Sequence, residues 1–384
     1  NAQINLALYS PYTIFAEENT EFVVKIEELM GLYAGHAGMQ ALEKAWENGS
    51  KNLFLQGLLS SSSPLVLATA MSKGRLKGCP MMLAVLTDQE DAGYFSHDLT
   101  QLVGKERVLF FPSSFKRAVK YGQRDSASEV LRTEVLTHLA AGVGAKDFPL
   151  FVVTHPDALA EGVASRQSLS ENSVTLSVGQ TIDIGALADK LFSLGFTRTD
   201  YVYEPGQYAV RGSIIDVFSF AGEYPCRIDF FGDDIDSLRT FEVESQLSRE
   251  KSDTVTLTAE KGGSGCASLF DFLPEGSAVA FRDLLWAADR VDMLPEDPTF
   301  LKREDFLRAV TQWRTIEFAS HATGNPDATI SFITSAQPLF HKNFDFVAST
   351  LRDYIDRGYR LCILSDSDKQ NERIRAIFEE RGDE

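Results

Sequence analysis

The feature that most limits the fold is an alternation of short apolar runs with helical segments in the first part of the chain. Residues 81–86, 107–111 and 149–154 have the length and composition of buried strands. In residues 126–139 and 20–48, apolar side chains recur at helical spacing, and a short helix is predicted at residues 98–102. Strands that alternate with helices predict a mostly parallel sheet with helices on its faces, which is an α/β fold.

The pattern changes near Ser165. Residues 174–178, 208–218 and 225–231 alternate between apolar and polar side chains, and residues 185–194 have helical spacing. This combination predicts an inserted, antiparallel-rich α+β domain within the α/β domain. In the last of these strands, the alternation predicts one face with Cys226, Ile228 and Phe230 and the opposite face with Arg227, Asp229 and Phe231.

After the insert, the pattern of strands and helices resumes, and a final helix, a strand at 360–365 and a second helix follow. We therefore predict four segments: the first part of an α/β domain (1–164), the inserted domain (165–250), the second part of the α/β domain (251–335), and the start of a further α/β domain (336–384).

Length and charge restrict the function. With 384 residues, 44% of them hydrophobic, the chain is long enough for two or three domains with their own cores. Its net charge of −18 disfavours stable DNA binding, because a protein surface that binds nucleic acid needs clustered Lys and Arg side chains. We expect a protein partner with complementary charge, although a DNA-binding fragment with a local basic patch stays an alternative.

Metal, disulfide, membrane and catalytic motifs are missing from the sequence. The four cysteines lie far apart and outside any CxxC or Cys/His spacing, which argues against a zinc site or a disulfide framework. No signal peptide or long apolar run is present, so a reducing cytoplasm is expected and a membrane is not. The histidines have no partner at a motif spacing, so no catalytic residue is assigned.

A degenerate phosphate loop follows residues 51–56. At the spacing of a Walker A loop, Gly57 is followed by Ser62, Ser63 and Pro64. The second Gly, the Lys and the metal-binding hydroxyl are all replaced, and Pro64 also lacks an N–H that could face a phosphate. We predict a strand-to-helix loop with Ser N-caps. An unconventional anion site held by the Ser hydroxyls is the alternative.

Residues 195–242 carry the most specific motif of the chain. Its residues fit three spaced patterns in order along the chain: GY.R.D, G.Y..RG...D.F and R.(D/E)FF.D.ID.(L/I)R.F. The matching residues are Gly195, Phe196, Arg198 and Asp200; Gly206, Tyr208, Arg211, Gly212, Asp216 and Phe218; and Arg227, Asp229, Phe230, Phe231, Asp233, Ile235, Asp236, Leu238, Arg239 and Phe241.

This block resembles the second domain shared by UvrB and the bacterial transcription-repair coupling factors, and weaker likeness extends to both sides. Because UvrB keeps an intact Walker A loop, the Ser at position 63 favours the coupling factors, whose amino-terminal UvrB-like module is degenerate. The resemblance implies a degenerate RecA/UvrB-like module, catalytically inactive and without a cofactor of its own. The parent protein would be an ATP- and Mg²⁺-dependent DNA translocase that acts on stalled RNA polymerase through other regions.

The resemblance also implies that UvrA binds one face of the inserted domain. The positions carried over are Arg198, Arg211, Phe218, Arg227 and Asp229. An exposed aromatic side chain between arginines is a typical hot-spot composition. Two alternatives stay open here: Arg227 and Asp229 form an ordinary ion pair, and Phe218 belongs to the core. The competing function is an active UvrB-type nucleotide-dependent helicase.

Overall fold

A computed structural model gives the fold. It describes residues 25–115, 126–142, 150–222, 224–259, 267–336, 338–340, 343–359, 361 and 368–380. The predicted strand at 360–365 and the Gly-rich residues 261–265 lie almost entirely outside this set.

The larger sheet is parallel and contains seven of the described strands. The strands are β1 (Asn52–Gln56), β2 (Met81–Val85), β3 (Val108–Phe111), β4 (Leu150–Thr154), β13 (Ala278–Phe281), β14 (Arg314–Glu317) and β15 (Ala328–Ser331). Along the sheet, their order is β15-β1-β14-β13-β2-β4-β3.

Helices cover both faces of this sheet because its strands are apolar on both sides. In β2, Met82 and Ala84 join one core, and Met81, Leu83 and Val85 join the other. The first core is covered by α1 (Ile26–Ala34), α2 (Ala37–Glu47), α3 (Ser62–Ser72) and α4 (Gln89–Val103). The second is covered by α5 (Ser126–Ala141), α6 (Pro156–Ala160), α7 (Arg166–Glu171), α9 (Leu284–Asp292) and α10 (Arg303–Val310).

A second, six-stranded sheet is formed by residues that lie between β4 and β13 in the sequence. Its order is β11-β10-β9-β8-β7-β6, and its pairs are antiparallel except β6 with β7. The strands are β6 (Thr197–Arg198), β7 (Gln207–Arg211), β8 (Ile214–Val217), β9 (Cys226–Phe231), β10 (Asp234–Phe241) and β11 (Ser248–Ser252).

One face of the second sheet packs on helix α8 (Ile184–Leu194) and on a small antiparallel pair, β5 (Ser173–Ser177) with β12 (Thr254–Thr258). Leu187 and Leu191 of α8 are fully buried against Ile215 and Ile228 of the sheet. The predicted fold class is therefore confirmed: a parallel α/β sheet is interrupted in sequence by an antiparallel-rich insert with its own core. The exact domain boundaries stay predictions.

Two further helices, α11 (Phe344–Asp356) and α12 (Asp368–Glu380), follow β15. Among the described helices, none is long and apolar enough to cross a membrane.

Most predicted elements are present, and one differs clearly in length. The short helix expected around residues 98–102 is the end of α4, which begins at Gln89. Asp88 caps this helix by accepting hydrogen bonds from the N–H groups of Glu90 and Asp91. Buried Ala92, Phe95 and Leu99 then follow at helical spacing.

Candidate functional site

The face of the six-stranded sheet that points away from α8 is set by the alternation in β9. Cys226, Ile228 and Phe230 are buried in the core with α8. Arg227, Asp229 and Phe231 therefore point to the opposite side, since successive strand residues alternate between faces. The alternation predicted from the sequence is confirmed.

A buried carboxylate organises this face. Asp216 of β8 has a side chain that is only 1% exposed, and it pairs directly across the sheet with Arg227 of β9. Arg227 donates from Nε to Asp216 Oδ1 at 2.7 Å and from Nη2 to Oδ2 at 2.9 Å. Arg211 of β7 donates to the same Oδ2 atom. One carboxylate thus orients two guanidinium groups.

The pKa of Arg227 reflects this contact. The hydrogen bonds that Arg227 donates to Asp216 raise the pKa of the guanidinium above its usual value, against the lowering effect of burial. Gln246, from the loop after β10, also accepts from Arg227 Nη2 at 3.1 Å through its Oε1 atom. Arg227 is therefore held fully charged and in one orientation.

A second ion pair extends the network across the sheet. Arg239 of β10 contacts Asp229 of β9 at 2.8 Å, and the Ser237 hydroxyl donates to Asp229 at 2.9 Å. Lys251 of β11 is exposed and lies opposite Arg239 in the strand register. Paired strand residues share a face, so Lys251 lies on the same side of the sheet as Arg239.

We call Arg211, Arg227, Arg239 and Lys251 the basic stripe. It crosses β7, β9, β10 and β11, and the two carboxylates of Asp216 and Asp229 compensate only part of its charge. The stripe is therefore locally positive on a chain whose net charge is −18.

Exposed aromatic rings flank the basic stripe. Phe231, at the end of β9, is 82% exposed and is on the same face as Arg227. Tyr201 is 48% exposed, and the guanidinium of Arg211 lies 5.0 Å from the centroid of its ring. The face thus combines fixed cations with accessible aromatic surface.

Two of the predicted binding residues, Phe218 and Arg198, are not part of the exposed surface on this face. Phe218 follows β8 and is on the stripe side, but its side chain is only 7% exposed and packs with Val202 and Ala209. The expectation that Phe218 is an exposed aromatic is wrong, because the loops that follow β6 and β10 supply Val202 and Val243 above it.

Arg198 is exposed but lies apart from the other four predicted residues. Its register partner is Tyr208, which is buried in the core beneath the sheet. Paired positions on adjacent strands share a face, so Arg198 lies on the α8 side of the sheet. The structure therefore brings together Arg211, Arg227 and Asp229, and separates Arg198 from them.

The alternative of a simple Arg227–Asp229 ion pair is also wrong. Arg227 binds Asp216, and Asp229 binds Arg239. Both contacts run between neighbouring strands. Three residues of this network were not predicted as site residues: Asp216, Arg239 and Lys251. Asp216 and Arg239 belong to the motif block, whereas only the strand register reveals Lys251.

The degenerate phosphate loop lies between β1 and α3. Gly57 has a φ of 84°, while Ser62, Ser63 and Pro64 form the buried first turn of α3. The Ser N-cap expectation is wrong, because Ser61 at the N-cap makes no capping bond. Ser62 instead closes the loop: its Oγ accepts from Leu59 N–H at 2.8 Å and donates to Leu59 O at 2.6 Å.

The described residues contain no group of three or more His, Cys, Asp or Glu side chains placed to hold a metal ion. Two acidic side chains near the carboxyl edge of the parallel sheet bind protein groups instead. Glu317 accepts from Leu284 N–H at 3.0 Å and from the Thr323 hydroxyl at 2.7 Å, and Asp91 pairs with Arg282.

The sheet that carries the basic stripe is similar to a known domain. Residues 174–262 match the family model of the UvrB interaction domain. The matched residues contain the six-stranded sheet, α8 and the stripe from Arg211 to Lys251.

Comparison with curated proteins gives matches that extend beyond residues 174–262 of this chain. A transcription-repair-coupling factor of Staphylococcus epidermidis is 30% identical over 210 residues, covering 55% of this chain and 17% of the relative. One from Staphylococcus aureus is 21% identical over 413 residues, covering 86% of this chain and 34% of the relative. The predicted resemblance to the coupling factors is confirmed. The chain spans about a sixth to a third of the length of these relatives.

Proposed function

We propose that this chain recruits UvrA through the basic stripe of its UvrB interaction domain, as part of a factor that couples transcription to nucleotide excision repair. The observation that carries the proposal is the position of the stripe: four fixed or exposed cations and Phe231 share the face of the domain that is not packed on α8.

Charge supports a protein partner rather than DNA. The chain has a net charge of −18, so long-range attraction to nucleic acid phosphates is unfavourable, while a local positive stripe still attracts an acidic protein patch. Arginine and aromatic side chains dominate binding hot spots, and Arg211 and Arg227 are already oriented by Asp216. Because these two side chains are already ordered, binding loses little of their conformational entropy, which favours affinity.

Two exposed phenylalanines provide a matched test. Phe231 is 82% exposed on the stripe side, and Phe192 of α8 is 69% exposed on the other side of the domain. We expect Phe231→Ala to weaken UvrA binding at least about tenfold, since loss of a hot-spot aromatic costs about 2 kcal/mol or more. Phe192→Ala should leave the affinity unchanged. Titration of purified UvrA in a calorimeter or on a biosensor surface measures both.

Charge variants extend the test to the stripe itself. Lys251→Glu reverses an exposed charge and should reduce the association rate most strongly at low salt. Arg211→Ala should weaken binding as well, after a check that the domain is folded. Unchanged affinity in Phe231→Ala, Arg211→Ala and Lys251→Glu would refute the interface. Phe218→Ala is uninformative about contact, because its buried side chain would leave a cavity.

We further propose that this chain does not hydrolyse ATP. The Walker A Lys is replaced by Ser63, and Pro64 removes an N–H at the start of α3. Calorimetry with ATP and Mg²⁺ tests this proposal independently of UvrA. Saturable ATP binding or any turnover by this chain would favour the competing interpretation, an active UvrB-type helicase.

The activities of the complete factor belong to the same proposal. We infer a cytoplasmic, ATP- and Mg²⁺-dependent DNA translocase that acts on stalled RNA polymerase, with the motor and the polymerase-binding surface outside this chain. The support is the similarity to transcription-repair-coupling factors, whose length this chain covers only in part.

A further inference from the structure

The degenerate phosphate loop is in contact with a segment from the far end of the α/β module. After β15 pairs with β1, the Phe332 N–H donates to Gln56 O at 2.8 Å, which continues the ladder to the edge of the loop. The next carbonyl, that of Phe332, lies against the Cα of Gly57 so closely that an added Cβ would come within 3.0 Å of its oxygen. Only glycine fits here.

The side chain of Phe332 requires a second glycine. Its ring is 7% exposed and stacks on His36 with 5.5 Å between ring centroids. A Cβ at Gly38, in the first turn of α2, would lie 2.8 Å from the Phe332 ring. Gly38 and Gly57 are distant in sequence, yet both leave room for the same residue.

Thr334 completes the contact. Its hydroxyl donates to the Gly57 carbonyl at 2.5 Å. Between the two anchors, Ile333 points outward and is 79% exposed. The segment is therefore held by a backbone hydrogen bond to Gln56, a hydroxyl hydrogen bond to Gly57 and a ring that packs at the start of α2.

We propose that the degenerate phosphate loop serves as the internal docking site of residues 332–334, which fixes the start of the connection to α11 on the α/β module. A functional Walker A loop uses its backbone N–H groups to hold phosphate. Here the loop is instead in contact with a segment of the same chain, because the carbonyl and Cα of Gly57 are both engaged by Phe332 and Thr334.

The segment also has a mechanical role under this proposal. Residues 332–334 are the last part of the α/β module before the connection to α11. Because they are held on the loop, the connection to α11 leaves the module from a fixed point. The loop serves as an anchor between consecutive parts of the protein. This inference is independent of UvrA binding.

The test is amide hydrogen exchange at Phe332 in the whole chain, with Gly57→Ala as the main variant. The added methyl group cannot coexist with the Phe332 carbonyl, so we expect exchange of the Phe332 N–H, which donates to Gln56 O, to accelerate at least about tenfold. Gly49→Ala is the matched control: Gly49 has a φ of 82° against 84° for Gly57, but nothing lies within 4 Å of its added Cβ. The control isolates the steric contact from the backbone strain that both variants share.

A second variant covers the case in which Gly57→Ala does not fold. Thr334→Val keeps the shape of the side chain and removes only the hydroxyl that binds Gly57, so exchange at the Phe332 amide should rise about fivefold. Thr329→Val, on an exposed position of β15, is its control and should change nothing. Equal exchange in Thr334→Val and wild type, or in Gly57→Ala and Gly49→Ala, would overturn the proposal.

Discussion

Replacing Asp216 by Asn tests whether one buried carboxylate holds the basic stripe together. The substitution keeps the size of the side chain and removes the charge that faces Arg211 and Arg227. Removing one partner of a buried ion pair costs about 3–5 kcal/mol, because the remaining charge is left uncompensated. Here the Arg211 and Arg227 side chains are 35% and 13% exposed, so water relieves part of that cost. We expect the free energy of unfolding of the insert to fall by about 2–3 kcal/mol.

The assay must report on the inserted domain itself. The chain's three Trp residues, Trp46, Trp286 and Trp313, lie outside residues 174–262, so Trp fluorescence would follow the α/β module instead. Amide hydrogen exchange in β8 and β9 is the suitable measurement. A loss of 2–3 kcal/mol corresponds to exchange that is about 30- to 150-fold faster in these strands.

Asp229→Asn is the matched control on the same face. Asp229 has one Arg partner and a 20% exposed side chain, so the same chemical change should cost less than about 1 kcal/mol and accelerate exchange less than about fivefold. Equal effects of the two substitutions, or an Asp216→Asn domain as stable as wild type, would refute the assignment of Asp216 as the organising residue.

Two further predictions follow from buried titratable groups. Burial raises the pKa of Cys226 to about 12 and that of Cys79 to about 11, so neither thiol should react with iodoacetamide in the native protein at about pH 8, and both should react in urea. Mass spectrometry of the labelled peptides identifies each site, and rapid native labelling of either would contradict its burial. Burial lowers the pKa of His138 from its ordinary value of 6.5, so the unfolded state takes up the proton first as the pH falls. The stability due to neutral His138 is fully present above pH 6.5 and is lost as the pH falls through the lowered pKa. The free energy of unfolding should therefore fall more for wild type than for His138→Gln between about pH 7 and about pH 5, and an equal change in both would exclude this effect.

Local patterns in the sequence determined the class of fold. Apolar runs such as Met81–Val85 and helical spacing such as that of α5 are properties of neighbouring residues, so they can be recognised without knowledge of the three-dimensional contacts. The absence of a Walker A Lys at Ser63 is equally direct. The fixed spacing between Gly195 and Phe241 was specific enough to indicate the inserted domain and its family.

Sequence alternation also assigned Arg227, Asp229 and Phe231 to one face of β9, because the side-chain period of a strand is fixed at two. It could not show which neighbours they would meet. The register of four strands decides that Arg227 binds Asp216, that Asp229 binds Arg239, and that Lys251 joins the same face.

Only the tertiary structure decided what is covered and what is open. Phe218 and Phe231 are both aromatic residues on the stripe side, but Val202 and Val243 from two loops bury the first and leave the second exposed. Likewise, Gly57 and Phe332 meet because β15 returns beside β1. Contacts between residues that are distant along the chain depend on how sheets and loops pack, and short-range sequence patterns carry no information about that packing.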